Sequence, residues 1–206
     1  MPCAALGFRV HSGWAALVAV AGSPDTPVIA DRRRIEIADP AVPGSRQPYH
    51  AAEGLPLEKA RSIIQHCEHS SERFAQRALR TAIDRLRQSG YVVVGCGVLV
   101  GSGRPLPGLE ATLASHTLIH AAEGEFFRNA VRAAATACGL TVTGIRESEL
   151  VARAAIDLGS SEADLLRRLA DLGRSVGPPW QQDQKYAALV AWLALVSGLP
   201  RPAART

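Results

Sequence analysis

The pattern of apolar and polar positions predicts three β-strands at the start of the chain. In the first of them, which begins near residue 4, residues 6–11 alternate between apolar side chains and glycine or polar side chains, which is the period of a half-buried strand. The turn residues Ser12-Gly13 and a returning apolar segment at 14–20 complete a predicted β-hairpin. The segment 27–37, which follows a proline-containing turn, predicts a third strand.

Helical spacing of apolar residues predicts a long helix from about Leu57 to Ser89, with Ser70-Ser71 as a candidate break. Residues 39–56, which precede it, contain four prolines and two glycines and are predicted to form a loop. That loop is long for a compact domain, which makes it a candidate mobile or functional segment.

The middle of the chain has the pattern strand, helix, strand. An apolar run at Tyr91–Val100 is followed by a helical segment from Glu110 to Cys138 and a second apolar run at Leu140–Ile145. This order favours a parallel pairing of the two strands inside a covered sheet. Three further helices are predicted, around Glu147–Leu158, from Ser161 to about Leu172, and from about Asp183 to Ser197.

The composition is that of one globular domain. The 206 residues are 47% hydrophobic and 20% charged, enough to bury a core. We predict a single domain over residues 1–199 and a disordered tail at 200–206. The apolar run Ala187–Val196 is too short to cross a bilayer, so no membrane partner is expected. The four cysteines include no C-x-x-C pair, which argues against a structural zinc–cysteine site and favours a reducing, cytoplasmic compartment.

The net charge of +4 gives only weak information about the partner. A mild basic excess is compatible with nucleic acid or another polyanion as a partner, without requiring one. Aromatic residues make up 5% of the chain, which argues against a base-stacking platform. Arg32 and Arg34 are predicted to share one face of the third strand, either as an anion-binding patch or as a solvated strand end.

The order hairpin, third strand, long helix, strand, helix, strand and terminal helix resembles the ribonuclease H-like fold, and within it the RuvC-type Holliday junction resolvases. Gly7–Trp14 is similar to the first hairpin of that family, and Val92–Cys96 to a strand that ends in a glutamate. Gly124 matches a small residue within a helix, and Pro178–Ala188 resembles the segment that carries the last carboxylates. The resemblance implies an α/β fold with a central mixed sheet of five strands flanked by helices. It also implies DNA or RNA as a partner.

The positions that match the metal-binding carboxylates of the family hold other residues. Arg9 stands at the first-strand aspartate position, Cys96 or Gly97 at the glutamate position, and Lys185 at the terminal-helix aspartate position. RuvC-type catalysis uses carboxylates to hold two metal ions ~3.5–4 Å apart. Because cations in place of anionic ligands repel Mg²⁺, we expect neither a two-metal magnesium site nor RuvC-type nuclease activity.

Three polar residues of the central helix are candidates for chemistry. His116, His120 and Glu123 fall within about 60° of arc on one helix face. They could bind a divalent transition metal, or form a general base with an orienting carboxylate. An ordinary polar face with a His–Glu pair explains the same spacing, so the sequence leaves these alternatives open.

The terminal helix and the first strand supply the other candidates. Lys185 begins an otherwise apolar stripe in the first turn of its helix, where a cation opposes the helix dipole. Asp183 is either the N-cap of that helix or an orienting partner of Lys185. Arg9 and His11 project from the same face of the first strand, because they are two residues apart. We predict that Arg9, His11 and Lys185 lie near one another.

Two hypotheses of function follow. In the first, the chain is a nucleic-acid-binding module, and its anion-binding residues are Arg9, His11, Arg32 and Arg34. In the second, it is an enzyme with a rebuilt site, in which His120 or His116 acts as acid or base, Glu123 orients it, and Lys185, with Asp183 beside it, holds an anion. A plain interaction or scaffold protein is a third alternative. The substrate and the oligomeric state are left open by the sequence.

Overall fold

The computed structural model describes residues 1–198, and the predicted tail at 200–206 lies outside the described residues. The strands are β1 (Cys3–His11), β2 (Trp14–Gly22), β3 (Pro27–Glu36), β4 (Val92–Val100) and β5 (Val142–Arg146). They form one sheet in the order β3-β2-β1-β4-β5. The first three pair antiparallel, whereas β4 runs parallel to β1 and β5 runs parallel to β4. The predicted α/β fold with a mixed sheet of five strands is confirmed.

The helices are α1 (Pro48–Ala52), α2 (Leu57–Gln88), α3 (Leu109–Leu113), α4 (His116–Ala137), α5 (Leu150–Asp157), α6 (Glu162–Val176) and α7 (Gln182–Gly198). A 3₁₀ turn at Glu147–Glu149 precedes α5. Across residues 1–198, none of these helices has the length and apolar character that a membrane span requires.

The helices differ from the sequence-based expectation at the following three points. α2 is continuous, because Ser70 and Ser71 lie on its buried side and do not interrupt it. The segment predicted as one helix is divided into α3 and α4, since Ser115 has an extended backbone and serves as the N-cap of α4. The predicted loop at 39–56 contains α1, which begins at a proline, a residue favoured at the first helical position.

The sheet separates two apolar cores. Leu6 and Phe8 of β1 point to the core that is closed by α1, α2 and α4. The alternating residues of the same strands point to the core that is closed by α5, α6 and α7. Every residue of α7 from Ala187 to Leu195 is buried, so this helix is apolar all round, as a helix enclosed on all sides should be.

Glycines in β1 and β4 allow α7 to lie directly on the sheet. A Cβ at Gly7 would be 1.9 Å from the carbonyl oxygen of Ala187, and a Cβ at Gly97 would be 2.3 Å from that of Val190. Only glycine is compatible with such contacts. The first turn of α7 is thereby held over the last residues of β1, where polar side chains gather.

Candidate functional site

A cluster of charged side chains lies where the end of β1 meets the first turn of α7. We call it the Arg9 centre; it consists of Arg9, His11, Glu147 and Asp183. Nε and Nη2 of Arg9 donate to the two carboxylate oxygens of Glu147 at 3.2 and 2.9 Å, and Nη1 donates to Oδ1 of Asp183. Nε2 of His11 lies 2.9 Å from the same oxygen of Asp183. The carboxylates of this centre are therefore engaged by cationic or neutral donors of the protein itself.

Arg9 is a permanent positive charge in this centre. Its side chain is 18% exposed. Burial alone would lower the pKa of Arg9, but hydrogen bonds and charge interactions with Glu147, and then with Asp183, raise it above its ordinary value. Since a guanidinium does not lose its proton in proteins, both carboxylates face a cation at every physiological pH.

The neighbouring strand β4 contributes no carboxylate to the Arg9 centre. Residues 92–100 are apolar apart from two glycines and Cys96. Cys96 is fully buried in the core on the α2 and α4 side of the sheet, away from α7. Burial, with a further contribution from Cys138, raises the pKa of Cys96 to about 12. The thiol therefore stays protonated near neutral pH.

Three planar groups stack beside the Arg9 centre. The rings of His11 and Trp14 are nearly parallel, at 11°, with centroids 4.2 Å apart. Cζ of Arg34 lies 3.9 Å from the centroid of the Trp14 ring. Trp14 is on β2, between the strands of the other two residues, so they flank it on either side. Nε of Arg34 also donates to Glu36 at 2.8 Å, which balances its charge.

Arg32 and Lys185 are not part of the Arg9 centre. Nη1 of Arg32 donates to the carbonyl oxygens of Gly177 and Pro179 at 2.7 and 2.6 Å, which ties β3 to the connection between α6 and α7. Arg32 would have to give up these bonds to bind a phosphate. Lys185 is half-buried, and within residues 1–198 its side chain makes no hydrogen bond or ion pair. Asp183 pairs with Arg9 and His11 instead of with Lys185.

A second cluster lies between α1 and α4. We call His50, His116 and His120 the histidine cluster. Their ring centroids are 5.4, 4.9 and 4.5 Å apart, and Nε2 of His116 is 3.0 Å from Nε2 of His120. Glu123 is 2% exposed and lies next to His50. The predicted face of His116, His120 and Glu123 is present on α4, but Glu123 pairs with His50 of α1.

The two clusters lie on opposite sides of the sheet. α4 belongs to one core and α7 to the other. His120 and Glu123 therefore do not share a site with Lys185 and Asp183, and the rebuilt site that combines them is not formed.

A row of exposed arginines, with Asp84 among them, runs along α2, and sequence reasoning missed it. At 100° per residue, Arg73, Arg77, Arg80 and Arg87 fall within about 80° of arc, opposite the buried stripe of the helix. All four are exposed. Arg87 pairs with Asp84 at 3.4 Å, whereas the other three make no ion pair with any residue in 1–198. We call these four arginines the basic face of α2; their spacing alone would have revealed it.

Comparison with known proteins supports the fold. No protein-family model matches the sequence, and no curated protein matches it. The structure is similar to Thermus thermophilus RuvC in complex with a Holliday junction substrate, with a TM-score of 0.54 and 12% identity over 92% of this chain and 90% of that chain. It is similar to the structure of T. thermophilus RuvC itself, with a TM-score of 0.52 and 12% identity over 92% and 91% of the two chains. The chain therefore has a RuvC-like, ribonuclease H-like fold.

Proposed function

We propose that this chain binds nucleic acid along the basic face of α2 and does not cleave it by the two-metal chemistry of RuvC-type enzymes. The observation that carries the proposal is the set of three exposed arginines, Arg73, Arg77 and Arg80, on one helix face without acidic partners in residues 1–198. Successive members lie about one turn apart, roughly 5–6 Å. A row of unpaired guanidinium groups at this spacing suits a chain of phosphates.

The Arg9 centre is the reason to expect no two-metal cleavage. The magnesium pair implied by the resemblance needs several free carboxylate oxygens. Here both oxygens of Glu147 and Oδ1 of Asp183 already contact Arg9, and β4 offers a buried thiol instead of a glutamate. These residues do not fit a pair of Mg²⁺ ions. The fold is shared with a protein whose structure holds a Holliday junction, which supports nucleic acid as the partner.

A salt titration with labelled DNA tests the proposal. For the triple variant R73Q/R77Q/R80Q, we expect weaker binding to duplex and branched DNA. Because each neutralised phosphate contributes about 0.9 to the slope of log Kobs against log salt, losing three contacts should reduce the steepness by about 2.7. Fluorescence anisotropy between low and moderate salt measures the affinity for DNA and its dependence on salt.

The matched control removes three other exposed arginines. Arg153, Arg167 and Arg174 lie on α5 and α6, and each pairs with an aspartate three or four residues away. The variant R153Q/R167Q/R174Q has the same net charge as the α2 variant. It should nevertheless keep most of the affinity for DNA and most of the slope of log Kobs against log salt. Equal losses in the two variants would assign binding to net charge alone. Absence of binding by wild type at low salt would refute the proposed function.

A further inference from the structure

We propose that the histidine cluster binds one divalent transition-metal ion, with zinc as the representative ion. The ligands are the imidazoles of His50, His116 and His120, and Glu123 is a positioning residue. Imidazole is a ligand that zinc, copper and nickel ions prefer, whereas Mg²⁺ prefers oxygen. The histidine cluster is therefore distinct, in place and in ligand chemistry, from the carboxylates of the Arg9 centre.

The geometry of the three imidazoles is close to that of a zinc site. One ring nitrogen from each histidine can be chosen so that all three lie within 4.8 Å of one another. Nitrogen atoms bound to a tetrahedral zinc ion, at about 2.0–2.1 Å from it, are ~3.3 Å apart. The 3.0 Å between Nε2 of His116 and Nε2 of His120 already approaches this value. The ring nitrogens therefore have to approach one another by ~1.5 Å or less. Side-chain rotation can supply this movement because His116 and His120 are exposed.

The spacing on the helix explains why two of the ligands converge. His116 and His120 are four residues apart in the first turns of α4, so their side chains lie one above the other on one face. His50 comes from α1, which is placed against α4 by the packing of Tyr49 on Phe126, with ring centroids 6.3 Å apart. The third ligand therefore depends on the tertiary fold.

Glu123 provides the second, independent observation. Its carboxylate is 2% exposed, and its Oε1 accepts a hydrogen bond from the backbone N–H of His50 at 3.2 Å. Nδ1 of His50 lies 2.9 Å from the same oxygen, although the direction of this contact is not that of a well-aligned hydrogen bond. A carboxylate behind a histidine is the usual arrangement at metal sites, because it fixes the ring and leaves the other nitrogen for the ion.

A buried negative charge in this place also favours a cation. The side chain of Glu123 is 2% exposed, so its carboxylate is almost fully removed from water. A divalent ion bound by three neutral imidazoles would offset the charge of Glu123, which is costly to bury alone. Solvent can supply the fourth ligand, because two of the three histidines are exposed.

Metal binding to the whole chain tests the proposal. The purified protein is stripped with a chelator and titrated with Zn²⁺ alone, and bound metal is counted by mass spectrometry after desalting. We expect one zinc per chain in wild type and at least a tenfold loss of affinity in His116→Ala and in His120→Ala. Both residues are exposed, so these variants should keep the fold, which circular dichroism verifies. Replacing Zn²⁺ with Co²⁺ should give the visible absorption of a four-coordinate ion.

The matched control is the other histidine pair of the chain. His66 and His69 are exposed on α2, and His66→Ala/His69→Ala should retain one zinc ion per chain. Zinc binding that is lost in this control and kept in His120→Ala would overturn the proposal, as would wild type without stoichiometric zinc. Neither outcome depends on whether the chain binds nucleic acid, so the two proposals succeed or fail separately.

Glu123 has its own test as a positioning residue. Glu123→Gln keeps the size of the side chain but removes its charge, and we expect zinc affinity to fall about 10- to 100-fold with the stoichiometry unchanged. Glu123→Asp should recover part of the affinity. A purely structural role for Glu123 would lower the melting temperature of both variants without changing the zinc affinity of the folded protein.

Discussion

Gly7→Ala is expected to lower the free energy of unfolding by about 3 kcal/mol or more, at the upper end of what overpacking a core costs. The added Cβ would lie 1.9 Å from the carbonyl oxygen of Ala187, 2.6 Å from the backbone nitrogen of Ala191 and 2.7 Å from its Cβ. Two of these atoms belong to the backbone of α7, so no side-chain rotation can relieve the overlap. The helix has to move away from the sheet along its most buried part.

Urea unfolding, followed by circular dichroism, measures this change. Gly108→Ala is the matched control, because a Cβ at Gly108 would meet no atom within 4 Å and its φ is −57°, which any residue adopts. Gly108 is the N-cap of α3, where alanine is less favourable than glycine, so this variant should lose no more than about 1 kcal/mol. Equal stability of the two variants would mean that α7 does not lie directly on the sheet.

Gly7→Ala should also disturb the Arg9 centre, since the same contact holds the first turn of α7 over β1. Asp183 is in that turn, four residues before Ala187. A shift of α7 would separate Asp183 from Arg9 and His11, whereas Glu147, which precedes α5, would keep its contact with Arg9. The close packing in the core is thus what positions this polar cluster.

The order of the strands and helices could be predicted because it depends on local patterns. Two-residue alternation and apolar runs between turn residues marked the first three strands, and Gly90 followed the end of a helix that the apolar spacing had already indicated. The division between α3 and α4 was missed, since Ser115 interrupts a segment whose apolar periodicity continues on both sides. The boundary between α3 and α4 is set by the extended backbone of Ser115, which apolar periodicity does not report.

The candidate sites were only partly predictable because their partners are distant in the sequence. His116 and His120 could be grouped from helical spacing, but His50 is 66 residues before the first of them, in a proline-rich segment with no periodicity. Glu147 reaches Arg9 across 138 residues. Contacts between residues so far apart in the sequence depend on where the connecting segments place them in the folded chain. The stack of His11, Trp14 and Arg34 was also missed, although the hairpin turn at Ser12-Gly13 places the first two opposite each other.

Purified wild-type protein is expected to show no Mg²⁺-dependent cleavage of branched DNA. Like charges about 4 Å apart cost about 1 kcal/mol even in water, and several times more in a partly buried cleft, so Mg²⁺ cannot approach Glu147 and Asp183 while Arg9 lies between them. The assay pairs a labelled four-way junction with Mg²⁺ and compares the protein with a RuvC-type resolvase as positive control. Robust cleavage by wild type would show that the metal ions bind elsewhere than at the Arg9 centre.

By the same electrostatics, the substitution Arg9→Asp is expected to let Mg²⁺ bind at the Arg9 centre. The variant replaces one positive charge with a negative one, so three carboxylates, at positions 9, 147 and 183, would meet at the end of β1. Without a cation they repel one another, and millimolar Mg²⁺ is expected to raise the Tm of this variant while leaving that of wild type unchanged. Arg153→Asp, an exposed substitution on α5 with the same change of charge, is the control and should not respond. A rise in the Tm of wild type equal to that of Arg9→Asp would contradict the view that Arg9 keeps Mg²⁺ out.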